Sequence, residues 1–389
     1  MPYCELNSCE EESKGVRLFY RRYGHGKTKV LLIIGFADTH ESWGPQIKGL
    51  TGGAVARDED VAESSRRDEE QEEEEGIEVC CFDNRGIGRS SVPTNKHHYS
   101  TTIMARDALS LMDHLGWRKA HVVGHSMGGM IACKLASIAP DRLCSLGLLN
   151  VTGGGYQCFP RVDRQIMSLA FRFLRAKTPE ERATVDLEVH YTKEYLDEPI
   201  GSTTRRKILF QEYVKSMTSG GMQPKHGHEG QMHACWNHNM TQKEFDTIRL
   251  SGFPIAVIHG RDDLLAQVYH GRKVAEKLRP ASRMVELHGA HLVSHERPVE
   301  VNMALLDLIW ASDSKLELQQ WSDLPEKESE RPMPLSNRNN NEEVVLVTLY
   351  SLLAKIQLSC IFFMGFFLMF FGHMRNIVQI LKPVKSFIS

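Results

Sequence analysis

The sequence lacks the features that mark a secreted, disulfide-stabilised protein. Its nine cysteines include no C-x-x-C pair, and the first residues contain no apolar run typical of a secretory signal. We therefore expect free thiols and a reducing compartment. Cys80 and Cys81 are adjacent in a strand pattern, which predicts side chains on opposite faces of that strand, both packed in the core.

An excess of either charge is also missing. The chain has 47 Lys and Arg against 49 Asp and Glu, which gives a formal net charge of −2. Because phosphate backbones are bound through a surplus of basic side chains, this balance argues against a nucleic-acid partner. With 389 residues, the chain is long enough for one large α/β domain with additional segments.

The spacing that a zinc site requires is absent as well. Four histidines fall close together, but no cysteine or carboxylate accompanies them at a suitable distance along the chain. These histidines are His226, His228, His233 and His238. We expect neither a metal nor another cofactor.

What the sequence does contain is one serine between two close glycines, at the junction of a strand pattern and a helix pattern. Residues 124–128 read G-H-S-M-G and follow a short apolar run. This G-x-S-x-G spacing predicts a nucleophile elbow, in which Gly124 and Gly128 permit a tight turn that projects Ser126 out of the fold. A serine hydroxyl alone is a weak nucleophile, so the interpretation requires a base and an acid elsewhere.

Two later strand patterns lead into the residue types that are needed. An apolar run ends in a turn with two carboxylates, Asp262 and Asp263, and the alternating run 283–287 leads into a loop that contains His291. Strand ends bring sequence-distant residues together in parallel sheets, so these side chains can meet Ser126.

From these motifs, the chain resembles the α/β-hydrolase superfamily over roughly residues 16–311. Residues 29–36 resemble the third strand and oxyanion loop of that family, and residues 81–90 resemble its strand-four turn. The order Ser, Asp, His is also the one expected of the family. The resemblance implies an α/β-hydrolase fold with a mostly parallel central sheet flanked by helices. The motifs Phe-Asp-Asn-Arg-Gly and Gly-His-Ser-Met-Gly-Gly are similar to those of small-molecule hydrolases such as enol-lactonases and carbon–carbon bond hydrolases, and they also resemble a group of plant hydrolases.

One departure is that Ile34-Gly35 stands where many relatives have His-Gly, so any role of that histidine is absent. The remaining chemistry is implied residue by residue. Ser126 would attack an acyl carbon, His291 would take and return its proton, and Asp263 would orient the imidazole. The backbone N–H groups of Phe36 and Met127 would hold the oxyanion.

Other residues compete for the role of the acid. Asp262 adjoins Asp263, but the family's G-x-x-D spacing favours Asp263. Asn150 stands at the end of a strand pattern where some relatives carry an acid. Because an asparagine is uncharged, Asn150 could not stabilise an imidazolium.

Two further histidines compete for the role of the base. His288 falls at the edge of a strand pattern, and His295 begins the next helical pattern. His291 lies in the connecting loop, where catalytic groups are usually found, and is therefore favoured.

We expect a serine hydrolase that cleaves an ester, thioester or lactone in a small-molecule or lipid-like acyl substrate through an acyl-enzyme. A carbon–carbon bond hydrolase of the same fold is the alternative within enzymology. A ligand receptor that retains the triad without turnover is the alternative from another class. Epoxide hydrolases and dehalogenases of this fold need a carboxylate at the elbow, which position 126 does not provide.

The core is interrupted by segments of different composition. Thr178-Pro179 and Thr241 carry capping signals for helices in a long insertion, which we predict to be a helical lid over the nucleophile. An almost wholly polar, acidic stretch predicts a mobile insertion within the first part of the core. The predicted segments are a first core part at 16–152, the acidic insertion at 57–75, the lid at 153–250 and a second core part at 251–311.

The C-terminal part predicts attachment to a membrane. Residues 312–343 have the composition of a linker, and residues 350–372 form an apolar run long enough for a transmembrane helix. A basic tail follows at 373–389. We expect a single-pass C-terminal anchor with a cytosolic catalytic domain, in an organelle that the sequence does not identify, although the positive-inside tendency of the tail opposes that orientation.

Overall fold

The computed structural model describes residues 2–6, 11–53, 55–56, 75–158, 164–219 and 223–324. Apart from Glu75, the predicted acidic insertion at 57–75 lies outside these residues. The strands are β1 (Tyr3–Glu5), β2 (Arg17–Gly24), β3 (Thr28–Ile33), β4 (Ile77–Phe82), β5 (Ala120–His125), β6 (Leu143–Leu149), β7 (Pro199–Ile200), β8 (Thr203–Thr204), β9 (Ile255–Gly260) and β10 (Ser282–Leu287).

Helices connect and cover these strands. In chain order they are α1 (Gly44–Thr51), α2 (Thr101–His114), α3 (Met127–Ile138), α4 (Arg164–Arg175), α5 (Pro179–His190), α6 (Lys193–Asp197), α7 (Arg205–Ser219), α8 (Lys225–Asn237), α9 (Gln242–Arg249), α10 (Val268–Lys277), α11 (Val293–Glu296), α12 (Pro298–Asp313) and α13 (Leu318–Asp323).

Eight strands form one sheet in the order β1-β2-β4-β3-β5-β6-β9-β10. β2 pairs antiparallel with both β1 and β4, and every other neighbouring pair in this sheet is parallel. The predicted mostly parallel sheet is therefore confirmed. In the register of the central pair, Leu32 lies opposite Val123, so two strands rich in aliphatic residues are joined at the middle of the sheet.

Both faces of the sheet are buried, as parallel sheets require. Successive residues of β3 alternate between two hydrophobic clusters, with Leu31 in one and Leu32 in the other. Cys80 and Cys81 also divide between these clusters, and both are fully buried. The prediction that they point to opposite faces of the core is confirmed, and both are free thiols.

An insertion of helices α4–α9 lies between β6 and β9, where the strand–helix alternation is interrupted. The predicted start signals are confirmed. Thr178 accepts a hydrogen bond from the Glu181 N–H, and Thr241 accepts one from the Glu244 N–H, each in a capping box. A two-stranded hairpin, β7-β8, stands between α6 and α7. We call this region, residues 164–250, the helical insertion.

The predicted linker at 312–343 begins too early. Residues up to Asp313 still belong to α12, and α13 follows after a short turn. Trp321 in α13 is buried, and its indole N–H donates to the carbonyl oxygen of Ile255 at 2.8 Å. A single large aromatic residue therefore fixes this segment against the sheet. The linker prediction was based on composition and missed this contact. The rest of the predicted linker lies outside the described residues.

The predicted membrane location is corrected here. No helix in the described ranges is long and apolar enough to cross a bilayer. The longest of them, α12, has 16 residues, whereas a spanning helix needs about 20 mostly apolar ones. The run at 350–372 and the basic tail at 373–389, on which that prediction rested, lie outside the described residues.

Candidate active site

Ser126 stands on a sharp turn between β5 and α3. Its backbone has φ 53° and ψ −117°, an uncommon conformation for a residue with a side chain. A Cβ atom at Gly124 would overlap the carbonyl oxygen of Gly128, and one at Gly128 would overlap that of Ile33. The two predicted elbow glycines are therefore required by close backbone approach, and the strained serine between them has the geometry of a nucleophile elbow.

Ser126, His291 and Asp263 form one hydrogen-bonded line. His291 Nε2 lies 3.1 Å from Ser126 Oγ, and its Nδ1 lies 2.8 Å from Asp263 Oδ2. The three residues follow β5, β10 and β9, whose carboxyl ends share one edge of the parallel sheet. The sheet therefore brings together a hydroxyl, an imidazole and a carboxylate that are up to 165 residues apart in sequence.

Asp263 is surrounded by hydrogen-bond donors. Its Oδ1 accepts the backbone N–H groups of Leu265 and Ala266, both at 2.8 Å, and its Oδ2 accepts Asn150 Nδ2 at 2.6 Å. Burial opposes ionisation, but the nearby His291 above all, and then His259 and the Asn150 amide, hold the pKa of Asp263 below its ordinary value. Asp263 is therefore a carboxylate, able to accept Nδ1–H of His291.

Three of the four competing residues, Asp262, His288 and His295, are not hydrogen-bonded to this line. Asp262 pairs instead with His288 at 2.9 Å, and about half of each side chain is exposed (49% and 49%). His295 donates through Nε2 to the Ser42 carbonyl oxygen at 2.7 Å. Asn150 does contact Asp263, and its amide also donates to the Ala290 carbonyl oxygen at 3.2 Å, a contact that the sequence did not reveal.

His125 is a further residue that sequence reasoning missed. Its ring centroid lies 5.0 Å from that of His291, and its Nε2 donates to the His291 backbone carbonyl oxygen at 2.9 Å. Burial above all, and then the proximity of His291, lowers the pKa of His125 to about 3, so the ring stays neutral. The signal was its place in the elbow motif, directly before the serine, at the buried end of β5.

A carboxylate ties the loop that carries His291 to the helical insertion. Glu296 Oε1 accepts the backbone N–H groups of Ala290 at 2.8 Å and Thr192 at 3.1 Å, and its Oε2 accepts the Thr192 hydroxyl at 2.6 Å. The Leu292 N–H also donates to the carbonyl oxygen of His190 at 3.0 Å. The helical insertion therefore positions His291 through contacts to its two sequence neighbours, Ala290 and Leu292.

The predicted oxyanion donors belong to two segments that come close to Ser126. Met127 is the first residue of α3, so its N–H has no acceptor within that helix. Phe36 follows β3, and a Cβ at the preceding Gly35 would lie 3.3 Å from Ser126 Cβ, so this loop passes close to the serine. The N–H of the next residue, Ala37, donates to Gln231 Oε1 at 3.0 Å, which fixes the loop.

The Phe-Asp-Asn-Arg-Gly motif supports this loop. Asn84 Nδ2 donates to the Ile34 carbonyl oxygen at 2.8 Å, and Asp83 accepts both the backbone N–H of His40 at 2.9 Å and its ring Nδ1–H at 2.7 Å. Arg85 forms two bonds of 2.6 Å to the buried Asp107. The motif therefore scaffolds the oxyanion loop and supplies no group to Ser126.

The histidines His226, His228, His233 and His238 of the helical insertion do not share a common partner among the described residues. His238 shares a hydrogen bond with the Thr101 hydroxyl at 2.8 Å, and the His228 ring meets the Phe36 ring edge-on at 5.0 Å. His233 Nδ1 lies 3.2 Å from the Tyr99 carbonyl oxygen, and His226 is exposed. Within the described ranges, no group of three or more His, Cys, Asp or Glu side chains could hold a metal ion.

Comparison with known proteins gives one family. Residues 30–298 match the model of the alpha/beta hydrolase fold. A provisionally named carbamate hydrolase, RutD, of Azorhizobium caulinodans is 28% identical over 293 residues, which cover 74% of this chain and 93% of that protein. A provisionally named non-heme bromoperoxidase, BpoC, of Mycobacterium tuberculosis is 28% identical over 234 residues, or 59% of this chain and 82% of the relative.

Solved structures show the same architecture. The enol-lactonase of Burkholderia xenovorans superposes with a TM-score of 0.58 at 22% identity, covering 79% of this chain and all of that structure (100%). At this identity the likeness concerns the fold. The family match over residues 30–298, together with the hydrolase relative, shows that the chain belongs to the α/β-hydrolase fold family and is a hydrolase.

Proposed function

We propose that the protein is a serine hydrolase that cleaves an ester, thioester or lactone through Ser126, His291 and Asp263. The observation that carries this proposal is the unbroken line of two hydrogen bonds from Ser126 Oγ through His291 to Asp263 Oδ2. A base within hydrogen-bond reach of the serine, itself oriented by a third group, is what activation of a weak nucleophile needs.

The reaction would proceed in two halves. Ser126 Oγ attacks the acyl carbon while His291 Nε2 takes its proton, and the carbonyl oxygen becomes an oxyanion. The intermediate collapses as His291 protonates the leaving group, which leaves an acyl-enzyme. Water, activated by the same imidazole, then attacks the acyl carbon, and the second collapse returns the proton to Ser126 and releases the acid.

Two backbone groups would stabilise the charge that develops. The N–H of Met127 lies at the start of α3, where the helix dipole favours negative charge, and the N–H of Phe36 lies in the loop beside Ser126. Asp263 would meanwhile stabilise the imidazolium of His291. The helical insertion would act as a lid, since its contacts reach both the oxyanion loop and the loop of His291.

A fluorophosphonate probe tests the proposal, because such probes react with activated serines. We expect labelling of the wild-type protein and none of Ser126→Ala, whose turnover of a water-soluble ester should fall roughly a millionfold if the three residues act as a unit. Equal labelling of the two proteins would refute the assignment of Ser126. The matched control is Ser137→Ala, which alters a serine at the far end of α3 that bonds only its own helix.

A further inference from the structure

Asn150 contacts the acid and the loop of the base at the same time. Its Nδ2 donates to Asp263 Oδ2 at 2.6 Å and to the Ala290 carbonyl oxygen at 3.2 Å. That carbonyl belongs to the peptide bond between Ala290 and His291. One side-chain amide therefore connects the carboxylate to the backbone that carries the imidazole.

The direction of both bonds follows from the chemistry of the partners. The Ala290 carbonyl oxygen can only accept a hydrogen bond, and an ionised carboxylate also only accepts. The amide nitrogen of Asn150 must therefore face both groups, with one N–H for each. Reversing the amide would place its oxygen against two acceptors, so the assignment of nitrogen and oxygen is determined.

Asn150 makes these bonds in a place that is unfavourable for it. It is fully buried, and its backbone φ of 47° lies in the left-handed region that residues with a side chain rarely adopt. Within the described residues, its Oδ1 is buried and has no hydrogen-bond partner. Strain and unpaired polar atoms of this kind cost free energy and are concentrated at functional sites.

The amide also completes the set of donors on Asp263. An ionised carboxylate offers about four acceptor sites. Two backbone N–H groups donate to Oδ1, and His291 Nδ1 and Asn150 Nδ2 donate to Oδ2. His259 Nε2 lies 3.7 Å from Oδ2, but it donates to the Ala266 carbonyl oxygen at 2.6 Å. Loss of the amide would therefore open an acceptor site on the oxygen that orients His291.

We propose that Asn150 is a positioning residue, whose amide holds Asp263 Oδ2 and the Ala290 carbonyl oxygen so that the imidazole of His291 stays in line between the acid and Ser126. This inference rests on the proposed function. It adds a residue that acts on the substrate only through Asp263 and His291.

The variant Asn150→Leu tests this role, because leucine is similar in size to asparagine but has no side-chain N–H. We expect kcat per labelled active site to fall about tenfold, while KM changes less than about twofold, since alignment of the triad matters most in the transition state. The matched control is Asn302→Leu in α12. Asn302 Nδ2 also donates to a carbonyl oxygen, that of Pro45 at 3.1 Å, and its Oδ1 is likewise buried without a partner among the described residues. This control should keep the wild-type kcat and KM.

The pH profile of kcat/KM separates positioning from a general loss of stability. Activity falls in acid when His291 Nε2 takes a proton and can no longer accept one from Ser126. The Asn150 amide offsets part of the negative charge of Asp263, so without it the Asp263–His291 pair holds that proton more tightly. The midpoint of the acid limb should therefore rise by about 0.5 to 1 pH unit in Asn150→Leu and stay unchanged in Asn302→Leu.

The other titratable groups around the pair are the same in wild type, variant and control. Three histidines face the pair from β5, α5 and β9, and burial above all lowers the pKa of each. These are His125, His190 and His259, and the pKa of the first two is about 3. The ring centroids of His125 and His190 lie 5.0 Å and 6.2 Å from that of His291. Helix α11 adds His295 and Glu296, whose carboxylate accepts the Ala290 N–H.

Asn150→Gly provides the test if Asn150→Leu does not fold. It removes the same two N–H groups, and glycine adopts a φ of 47° without strain. The midpoint of the acid limb should rise in this variant as well. A wild-type acid limb or a wild-type kcat in a folded variant that lacks the amide would overturn the inference.

Labelling of Ser126 by the fluorophosphonate probe distinguishes the two claims. If the probe labels Ser126 and removal of the amide changes neither kcat nor the acid limb, the role of Asn150 is wrong. If Ser126 of the wild-type protein is not labelled, the proposed function is wrong as well.

Discussion

Asp263 is held as a carboxylate by three donors besides His291. Two backbone N–H groups and the Asn150 amide donate to it, and each would face a weaker acceptor if the acid were protonated or replaced by an amide. Asp262, one residue earlier, faces His288 near the surface. Neighbouring carboxylates of the same chemical type therefore occupy very different environments.

Replacing each acid by its amide separates the two environments. Because the acid fixes the tautomer of the base, Asp263→Asn should lower kcat about ten-thousandfold, as in other triads, while Asp262→Asn should change it by less than about threefold. Steady-state kinetics with a water-soluble ester measures both. Equal rates for the two variants would show that Asp263 is not the acid or that the triad is not used.

The grouping of Ser126, Asp263 and His291 could be predicted from the sequence because each residue lies in or after a recognisable strand pattern or motif. The contacts of Asn150, His125 and His190 could not. Each of these depends on which strand lies beside which, and on where a helix of the insertion ends. The spacing of residues along the chain predicts neither the strand order nor the residue at which that helix ends.

The elbow that joins β5 to α3 requires the start of α3 to pass the end of β3 with no side chain between the two backbone segments. A Cβ at Gly128 would overlap the Ile33 carbonyl oxygen across the turn. A Cβ at Gly129, one residue on, would lie 3.0 Å from the Val151 side chain and 3.3 Å from the Gly124 carbonyl oxygen, which is a tight contact and not an overlap. A backbone atom in a central strand cannot move aside. A valine methyl group can shift by a few tenths of an ångström at a lower cost.

Alanine substitution distinguishes the two glycines. Gly128→Ala should prevent folding or lower the free energy of unfolding by more than about 4 kcal/mol, since either β3 or α3 must shift. Gly129→Ala should cost about 1–2 kcal/mol. Urea unfolding followed by tryptophan fluorescence gives both values, and a Gly128→Ala protein as stable as Gly129→Ala would contradict the packing described for the elbow.

Among the elements, the strands and the capped helices of the insertion were predictable because apolar runs and capping residues are local signals. Helix α13 was not, since the burial of Trp321 depends on a bond to Ile255, 66 residues away. The helical insertion was predictable as helical. Its hydrogen bonds to the loop of His291 depend on tertiary contacts between Thr192 and Glu296.

For the whole molecule, the α/β-hydrolase fold was predicted correctly, while the membrane location was wrong. The fold prediction combined several motifs that must agree in order and spacing. The membrane prediction used one apolar run alone, and the helices that the structure describes include none that could span a bilayer. The fold prediction was correct because several independent motifs agreed. The membrane prediction depended on a single apolar run, however apolar that run is.

The fold also buries several histidines in neutral form, which makes its stability depend on pH. Burial foremost, and Lys134 next, lower the pKa of His238 to about 3, whereas an unfolded histidine binds a proton below about pH 6.5. As the pH falls below that value, the unfolded state gains a proton that native His238 does not. The contribution of His238 to stability is therefore present above pH 6.5 and declines below it.

The variant His238→Gln removes this contribution. Between pH 7.5 and pH 5.5, the free energy of unfolding of the wild type should fall by about 1 kcal/mol more than that of His238→Gln. His226→Gln, at an exposed histidine of the same helical insertion, should show the wild-type decline. An equal decline in wild type and His238→Gln would show that His238 is not held neutral in the native state.

The central claim, that Ser126 forms an acyl-enzyme, is tested most directly by trapping that intermediate. The wild-type protein is mixed with p-nitrophenyl acetate, quenched in acid within milliseconds, digested and analysed by mass spectrometry. We predict an added acetyl group on the peptide that contains Ser126, together with a burst of p-nitrophenol of about one equivalent per protein. Turnover of the ester with no acetyl group on Ser126, or with the group on another residue, would contradict the account.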